Sequence, residues 1–153
     1  YCSAEPNSVY QIDVITGYLT EMGYNCTEYA FTDSNDVASV ATNACAASDV
    51  LYIPTDNTAA SCTEAINNVA EPAGVPIVAG EEGICKGCGI ATLSIDYYEL
   101  GRTTGAMAAK ILTGEANVSE MPIEYYQNPV KKYDAARCEA LGITVPSDYV
   151  AIG

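Results

Sequence analysis

Short apolar runs alternate with helix-like periodic segments along most of this chain. The run Val50–Ile53 ends at Pro54 and contains no polar alternation, which predicts a strand that is buried on both faces. The polar cluster Thr55–Thr58 follows it and leads into a helical pattern. By the same reasoning, further strands are predicted at Tyr1–Cys2, Cys26–Phe31, Val75–Ala79, Ile90–Ile95 and Pro122–Tyr126.

The most regular helical pattern in the chain begins at Asp96. Asp96 and Glu99 have the spacing of a capping box, and Gly114 supplies a stop after Leu112. Other helices are predicted at Pro6–Met22, Val37–Cys45, Ala59–Ala70 and Asp134–Leu141, and the residues after Leu141 are predicted to form a tail.

The alternation of strands and helices predicts an α/β fold of three layers, with a mostly parallel sheet and helices on both faces. Right-handed connections would place the strand-to-helix loops along one edge of the sheet. In open sheets of this kind, ligands bind just past the carboxyl ends of the strands. The loops in question are Ser3–Ser8, Thr32–Asn35, Thr55–Thr58, Gly80–Gly83 and Asp96–Tyr97.

Composition narrows the classes of function. The 153 residues are the size of one domain, and 49% of them are hydrophobic, which indicates a globular chain. The formal net charge of −14 argues against binding to nucleic acid or to an anionic membrane surface. The chain contains no His, so catalysis by His and a metal site with His ligands are both excluded.

Polar side chains at three of the predicted loops are candidates for binding a ligand. The loop Ser3–Ser8 opens a helix, and helix starts attract carboxylates and other anions, although a simple N-cap is the alternative. Asp56 and Asn57 can bind an ammonium or a hydroxyl, or they can cap the next helix. Glu81 and Glu82 follow a strand, where a carboxylate directed at a ligand amine competes with a solvated loop and, less favourably, with an acid/base pair.

The chain has seven cysteines, and only Cys85 and Cys88 have a spacing that suggests chemistry. They lie in a segment that is predicted to be a Gly-rich loop, where a disulfide or two free thiols is favoured over a redox pair. A zinc site would need a second CxxC or a His, and the chain has neither. No Gly-rich phosphate loop and no GxSxG motif is present, so the sequence favours a binding protein over an enzyme.

Five segments of the chain, in order, resemble a known family. The family is that of the extracytoplasmic solute-binding proteins of ABC transporters, in the TrpX-like branch associated with tryptophan and other aromatic amino acids. The resemblance extends over nearly the whole chain. The segments are Ser3–Ser8, Ile53–Asn57, Val75–Gly83, Ile95–Gly101 and Leu141–Pro146.

The resemblance implies one lobe of a type I periplasmic-binding fold. Members of the family are about twice as long and have two lobes around a cleft, so this chain is expected to be the second lobe, beginning within a strand, with residues 96–120 crossing to the first lobe. The resemblance also implies a non-catalytic protein without a cofactor or a metal. It would hold an amino acid, preferably aromatic, and deliver it to a membrane permease from the cell surface, as a lipoprotein, or from the periplasm. The ligand contacts that the resemblance implies are Ser3, Glu5, Asn7, Ser8, Asp56, Asn57 and Glu81, with Asp96 as a weaker candidate for a ligand contact or a cap.

Two alternative functions and one assembly remain open at this point. A flavodoxin-like redox domain would use Cys85 and Cys88, which is tested by the pKa of their thiols. A ligand-sensing domain of a regulator or kinase would have the same fold. The helix of residues 97–112 needs an apolar partner once the first lobe is absent, and exchange of this segment between two copies would give a homodimer.

Overall fold

The structure, a computed structural model, describes all 153 residues. The seven α-helices are α1 (Pro6–Glu21), α2 (Val37–Ala47), α3 (Asn57–Ser61), α4 (Thr63–Ala73), α5 (Glu82–Cys88), α6 (Tyr97–Leu112) and α7 (Ala135–Ala140). The five strands are β1 (Leu51–Ile53), β2 (Ile77–Ala79), β3 (Ala91–Ser94), β4 (Val130–Tyr133) and β5 (Val150–Ala151).

The strands form one sheet in the order β1-β2-β3-β4-β5. Strands β1, β2 and β3 are parallel, β4 is antiparallel to β3, and β5 is parallel to β4. Cys2 and Phe31 add an isolated parallel bridge. The predicted fold class, α/β with a mostly parallel sheet, is therefore confirmed.

The core lies between the sheet and one layer of helices. Helix α4 packs against both α2 and α5, and α5 also packs on β2 and β3. Ile66 of α4, Ile77 of β2 and Ile84 of α5 are among the most buried side chains of this cluster. Ile12 of α1 is buried but is not part of the cluster, which is consistent with α1 covering the opposite face of the sheet.

Helix α6 stands apart from this core. None of its residues is buried, and no other element packs extensively on it. Part of the sheet is uncovered as well, because Val78 and Leu93 are 36% and 56% exposed. Side chains of neighbouring residues on a strand point to opposite faces, so these two lie on the face away from Ile77 and Ala79. The molecule thus has an uncovered helix and an uncovered patch of sheet.

Four predicted elements were wrong, and one of them is the predicted tail after Leu141, which contains β5. Within Cys26–Phe31 the predicted strand is reduced to the bridge between Phe31 and Cys2, with one further hydrogen bond from the N-terminus of Tyr1 to the carbonyl of Tyr29 at 2.9 Å. Pro122–Tyr126 forms no strand. The strand β4 begins later, at Val130, which pairs with Ser94 of β3. The helix predicted for Ala59–Ala70 is interrupted at Cys62, which separates α3 from α4.

The segment that contains the CxxC motif was also predicted wrongly. It is the helix α5 and not a Gly-rich loop, and Cys85 and Cys88 are buried free thiols, the second of the two alternatives that the sequence left open. One of its glycines has a packing reason: a Cβ on Gly87 would lie 2.4 Å from the side chain of Thr63 in α4. Glycine therefore permits the close approach of two helices. No helix of the chain is long and apolar enough to cross a membrane.

Candidate functional site

Asp56 lies at the carboxyl end of β1 and is 1% exposed. Its Oδ2 accepts hydrogen bonds from the backbone N–H of Cys2 at 2.6 Å and from the hydroxyl of Ser8 at 2.5 Å. Its Oδ1 caps α3 through the N–H of Ala59 at 2.8 Å. Both carboxylate oxygens are therefore used inside the protein, and Ser8 is fully buried with them.

Glu5 satisfies the remainder of the α3 start. Its Oε2 accepts from the backbone and side-chain N–H groups of Asn57 at 2.8 and 3.0 Å, and its Oε1 accepts from the backbone N–H and hydroxyl of Thr58 at 2.9 and 2.8 Å. Burial alone would raise the pKa of Glu5, but these hydrogen bonds outweigh it and lower the pKa. Glu5 and Asp56 together occupy the first three N–H groups of α3, which is therefore not an open anion site.

Further hydrogen bonds connect the loop after β1 with α1 and with the loop after β2. The side chain of Asn7 donates to the carbonyl of Thr55 at 2.8 Å, and the N–H of Thr55 donates to the side chain of Gln11 at 2.9 Å. The hydroxyl of Thr55 donates to the carbonyl of Gly80 at 3.2 Å. A Cβ on Gly80 would lie 2.5 Å from the N atom of Thr55, so only glycine fits where the two loops touch.

The next carboxylate along this edge is Glu81. Its side chain caps α5 by accepting from the N–H groups of Gly83 and Ile84. Asp96 does the same for α6, with Oδ1 accepting from Tyr98 and Glu99. Polar loop ends therefore follow β1, β2 and β3 at the carboxyl edge of the sheet, and we refer to the residues Ser3–Ser8, Thr55–Thr58, Gly80–Gly83 and Asp96 as the rim.

The sequence candidates fall into two groups along this rim. Asp56 and Ser8 are buried, and the carboxylate oxygens of Glu5 and Glu81 are occupied by helix N–H groups. Three candidates are exposed residues: Ser3, whose hydroxyl donates to the carbonyl of Phe31 at 3.2 Å, and Asn7 and Asn57, whose amide oxygens have no donor within the protein. The rim is thus a rigid framework with a few free polar groups on it.

A cavity of about 400 Å³ continues the rim at the ends of β2 and β3. Its lining residues include Glu81, which is one of the sequence candidates, and the two aromatic residues Tyr97 and Tyr126. Burial and the neighbouring carboxylate of Glu81 both raise the pKa of Tyr97. The volume lies within the range of roughly 300–1,000 Å³ that is usual for small-molecule sites.

The floor of this cavity contains an ion pair. Lys132 Nζ lies 2.6 Å from Oε2 of Glu82, which also accepts from the hydroxyl of Ser94 at 3.1 Å. The hydrogen bond from Lys132 is the main reason why the pKa of Glu82 is lowered. Sequence reasoning named Glu82 but missed Lys132 and Ser94. Lys132 is 50 residues from Glu82 and belongs to the strand that was placed wrongly, and no local signal marks the pair.

A larger groove, of about 860 Å³, lies at the opposite edge, where β2 and β3 begin. Its guanidinium group, that of Arg137, is already bonded to Asn67, Asp134 and the carbonyls of Lys86 and Gly87. The groove therefore contains no free Arg group, and Arg137 acts as a clamp between α7, α4 and α5.

The environment of the cysteines opposes redox chemistry. Burial raises the pKa of Cys85 to about 12 and that of Cys88 to about 11. Redox-active thiols need a lowered pKa, because the thiolate is the reactive form. The structure also contains no group of three His, Cys, Asp or Glu side chains that could hold a metal ion.

Comparison with known proteins finds several relatives of this chain. The chain is 32% identical over 123 residues to a tyrosine-binding protein from Clostridioides difficile, an alignment that covers 80% of this chain and 35% of that protein. It is similar to the ABC domain in complex with L-Trp from Streptococcus pneumoniae, with 27% identity and a TM-score of 0.88, over 96% of this chain and 50% of that one. It is also similar to the ligand-free, open structure of a substrate-binding protein with adhesive properties from Clostridium difficile, with 33% identity and a TM-score of 0.75, over 100% and 53% of the two chains.

The chain thus spans about half the length, or less, of the relatives it matches. The sequence profile described as ABC transporter substrate binding protein matches residues 1–151, almost the whole chain. This chain therefore belongs to the ABC transporter substrate-binding protein family.

Proposed function

We propose that this lobe forms one side of the binding cleft for a small solute in an ABC importer, and that the solute is an amino acid, with aromatic amino acids favoured. The observation that supports this most directly is the position of the polar rim and the cavity, which lie together at the carboxyl edge of the parallel strands. The named relatives bind tyrosine and L-Trp, which supports an aromatic ligand.

Within this proposal the seven candidate residues have two tasks. Glu5, Ser8, Asp56 and Glu81 hold the loops in place through their internal hydrogen bonds. Ser3, Asn7 and Asn57 are exposed on the rim, and the hydroxyl oxygen of Ser3, which can still accept, and the amide oxygens of Asn7 and Asn57 are the groups that would contact the solute. The residues that we assign to the site are Ser3, Glu5, Asn7, Ser8, Asp56, Asn57 and Glu81.

The proposal places the protein outside the cytoplasm, where it passes its solute to a permease without chemical change. No combination of nucleophile, base and oxyanion donor lies on the rim, which supports binding without catalysis. The named relatives are substrate-binding proteins rather than regulators, which supports transport over sensing.

A thermal-shift screen of the proteinogenic amino acids tests the ligand class. A ligand that binds only the folded chain at ten times its Kd stabilises it by about 1.4 kcal/mol, or roughly 3–5 °C. We expect L-Trp and L-Tyr to raise the Tm in proportion to the logarithm of their concentration, and glycine and L-Glu to have no effect. Equal shifts with all amino acids, or none with any, would refute the proposal.

A pair of variants locates the binding. Asn57→Ala removes an exposed amide from the rim, whereas Asn68→Ala removes an exposed amide from the outer side of α4. The first should reduce the ligand-induced shift and the second should leave it unchanged. Equal responses of the two variants would place the ligand elsewhere.

We also propose that α6 packs on a second lobe, since residues 96–120 leave the core and none of α6 is buried. An isolated helix of this length is marginal in water, so its apolar side needs a cover. In the isolated chain we propose that two copies exchange α6 onto the uncovered sheet around Val78 and Leu93. Light scattering should then show a dimer that Met107→Lys dissociates and Thr113→Lys does not, and a monomer at high micromolar concentration would rule the exchange out.

A further inference from the structure

The cavity at the ends of β2 and β3 combines both signs of charge. Glu81, Glu82 and Asp96 line it, and Lys132 is the single cationic side chain among its ten lining residues. A free α-amino acid carries an ammonium and a carboxylate on the same carbon. A pocket with one unused cation and one unused carboxylate oxygen close together can bind both groups through charge-assisted hydrogen bonds.

The ammonium group of Lys132 has hydrogen-bond donors that no protein group uses. It has three N–H groups, and its only hydrogen bond is to Oε2 of Glu82. Adjacent strand residues point to opposite faces, so Lys131 turns away from the cavity and pairs with Asp148 at 2.6 Å instead. Lys132 is thus positioned to donate to a ligand carboxylate, and Lys131 is not.

The acceptors are similarly divided. Both hydrogen bonds to Glu82, from Ser94 and Lys132, end on Oε2, which leaves Oε1 without a protein donor. Both hydrogen bonds to Asp96 end on Oδ1, which leaves Oδ2 free. By contrast, both oxygens of Glu81 are taken by the start of α5. Glu82 and Asp96 therefore retain acceptors for a ligand ammonium.

Two aromatic rings complete the pocket. Tyr97 and Tyr126 belong to its lining, together with the aliphatic side chains of Ile95 and Val130. Aromatic rings favour offset or edge-to-face contact with another aromatic ring. The polar floor and the aromatic walls thus match the two ends of an aromatic amino acid.

We propose that this cavity is the subsite for the charged end of the solute: Lys132 binds its carboxylate, and Glu82 and Asp96 bind its ammonium. The inference rests on the proposed amino-acid function and assigns only the two charged groups of the solute to this cavity, which leaves Ser3, Asn7 and Asn57 to contact its uncharged parts. The side chain of the solute then lies against Tyr97 and Tyr126, and Ser94 and the ion pair fix Glu82 in position.

L-tryptophan and two analogues test the assignment on the 153-residue chain. Tryptamine lacks the carboxylate and indole-3-propanoate lacks the ammonium. The chain contains no Trp, so the anisotropy of the ligand indole can be followed without a tryptophan background. Hydrogen bonds to charged groups contribute about 1.5–3 kcal/mol, so each lost group should weaken binding by roughly 10- to 100-fold.

The variants should mimic the analogues. Lys132→Met should bind L-tryptophan at least 10-fold more weakly than the wild-type chain and should weaken tryptamine by less, because it removes the contact to the carboxylate while Ser94 still holds Glu82 for the ammonium. Glu82→Gln should weaken L-tryptophan and leave indole-3-propanoate unchanged. Lys131→Met is the matched control and should bind all three ligands as the wild-type chain does. Far-UV circular dichroism checks that each variant is folded.

Two results would overturn the inference, and they differ from each other. If L-tryptophan binds to Lys132→Met and Glu82→Gln as tightly as to the wild-type chain, the amino-acid function stands and the subsite is wrong. If the wild-type chain binds none of the amino acids in the thermal-shift screen, the proposed function fails and the subsite fails with it.

Discussion

Replacing Asp56 by Ala tests whether the rim is held together from inside. The substitution removes three hydrogen bonds at once, from Cys2, Ser8 and Ala59. Loss of an N-cap costs about 1 kcal/mol. The N–H of Cys2 and the hydroxyl of Ser8 would be buried without this acceptor, and each such group costs about 1–3 kcal/mol.

The sum for Asp56→Ala is about 3–5 kcal/mol, taking the lower end for Ser8 because a hydroxyl can rotate toward another acceptor. Domains of this size are stable by roughly 5–15 kcal/mol, so the variant should lose a large part of its stability. Urea unfolding followed by far-UV circular dichroism measures the loss. Asp56→Asn keeps one acceptor oxygen and should lose roughly half as much.

Asp36 provides the matched control. It occupies the N-cap position of α2, but its side chain makes no capping hydrogen bond and is exposed. Asp36→Ala should therefore change the free energy of unfolding by less than about 0.5 kcal/mol. If Asp56→Ala were also to change it by less than 1 kcal/mol, Asp56 would not be a structural support, and its free carboxylate would have to be reconsidered as a ligand contact.

Two further predictions concern packing. At pH 8 a thiol reagent should modify the exposed Cys26 at once and should modify Cys85 and Cys88 only as fast as the chain unfolds. The reason is that burial raises the pKa values of Cys85 and Cys88 to about 12 and 11. Mass spectrometry of the labelled peptides measures the rates, and early modification of Cys85 or Cys88 would contradict the prediction. Gly87→Ala should destabilise the chain by about 1–3 kcal/mol, because the added methyl group overpacks against α4. Gly17→Ala, which has open space around it, should be neutral or stabilise the chain by up to about 1 kcal/mol. Equal urea midpoints for the two variants would contradict the packing argument.

Local signals predicted the helix ends well. Asp96 caps α6 through its side chain, and Gly114 follows this helix with a φ angle of 77°. These features depend on a few neighbouring residues, and the sequence alone contains the necessary information. The alternation of strands and helices was equally visible, and it was enough to fix the fold class.

The missed features depend on residues that are far apart in sequence. Helix α5 carries two internal glycines, so its propensity is poor, and it forms because Ile84, Cys85 and Cys88 pack into the core. A helical spacing of these three residues was present and could have been recognised. The contact between Glu5 and Asn57 joins residues 52 positions apart, and no periodic pattern reports such a pair.

This edge of the sheet has several carboxylates, but most of their oxygen atoms already accept hydrogen bonds within the protein and are not available to a ligand. Glu5, Asp56 and Glu81 each direct both oxygens at the N–H groups of a helix start or a neighbouring loop, so their charge is largely committed to the fold. Glu82 and Lys132 are bound to each other through only part of their hydrogen-bonding capacity. A zwitterion should therefore bind where charge is incompletely used, at the cavity floor, while the rest of the rim keeps that floor in place.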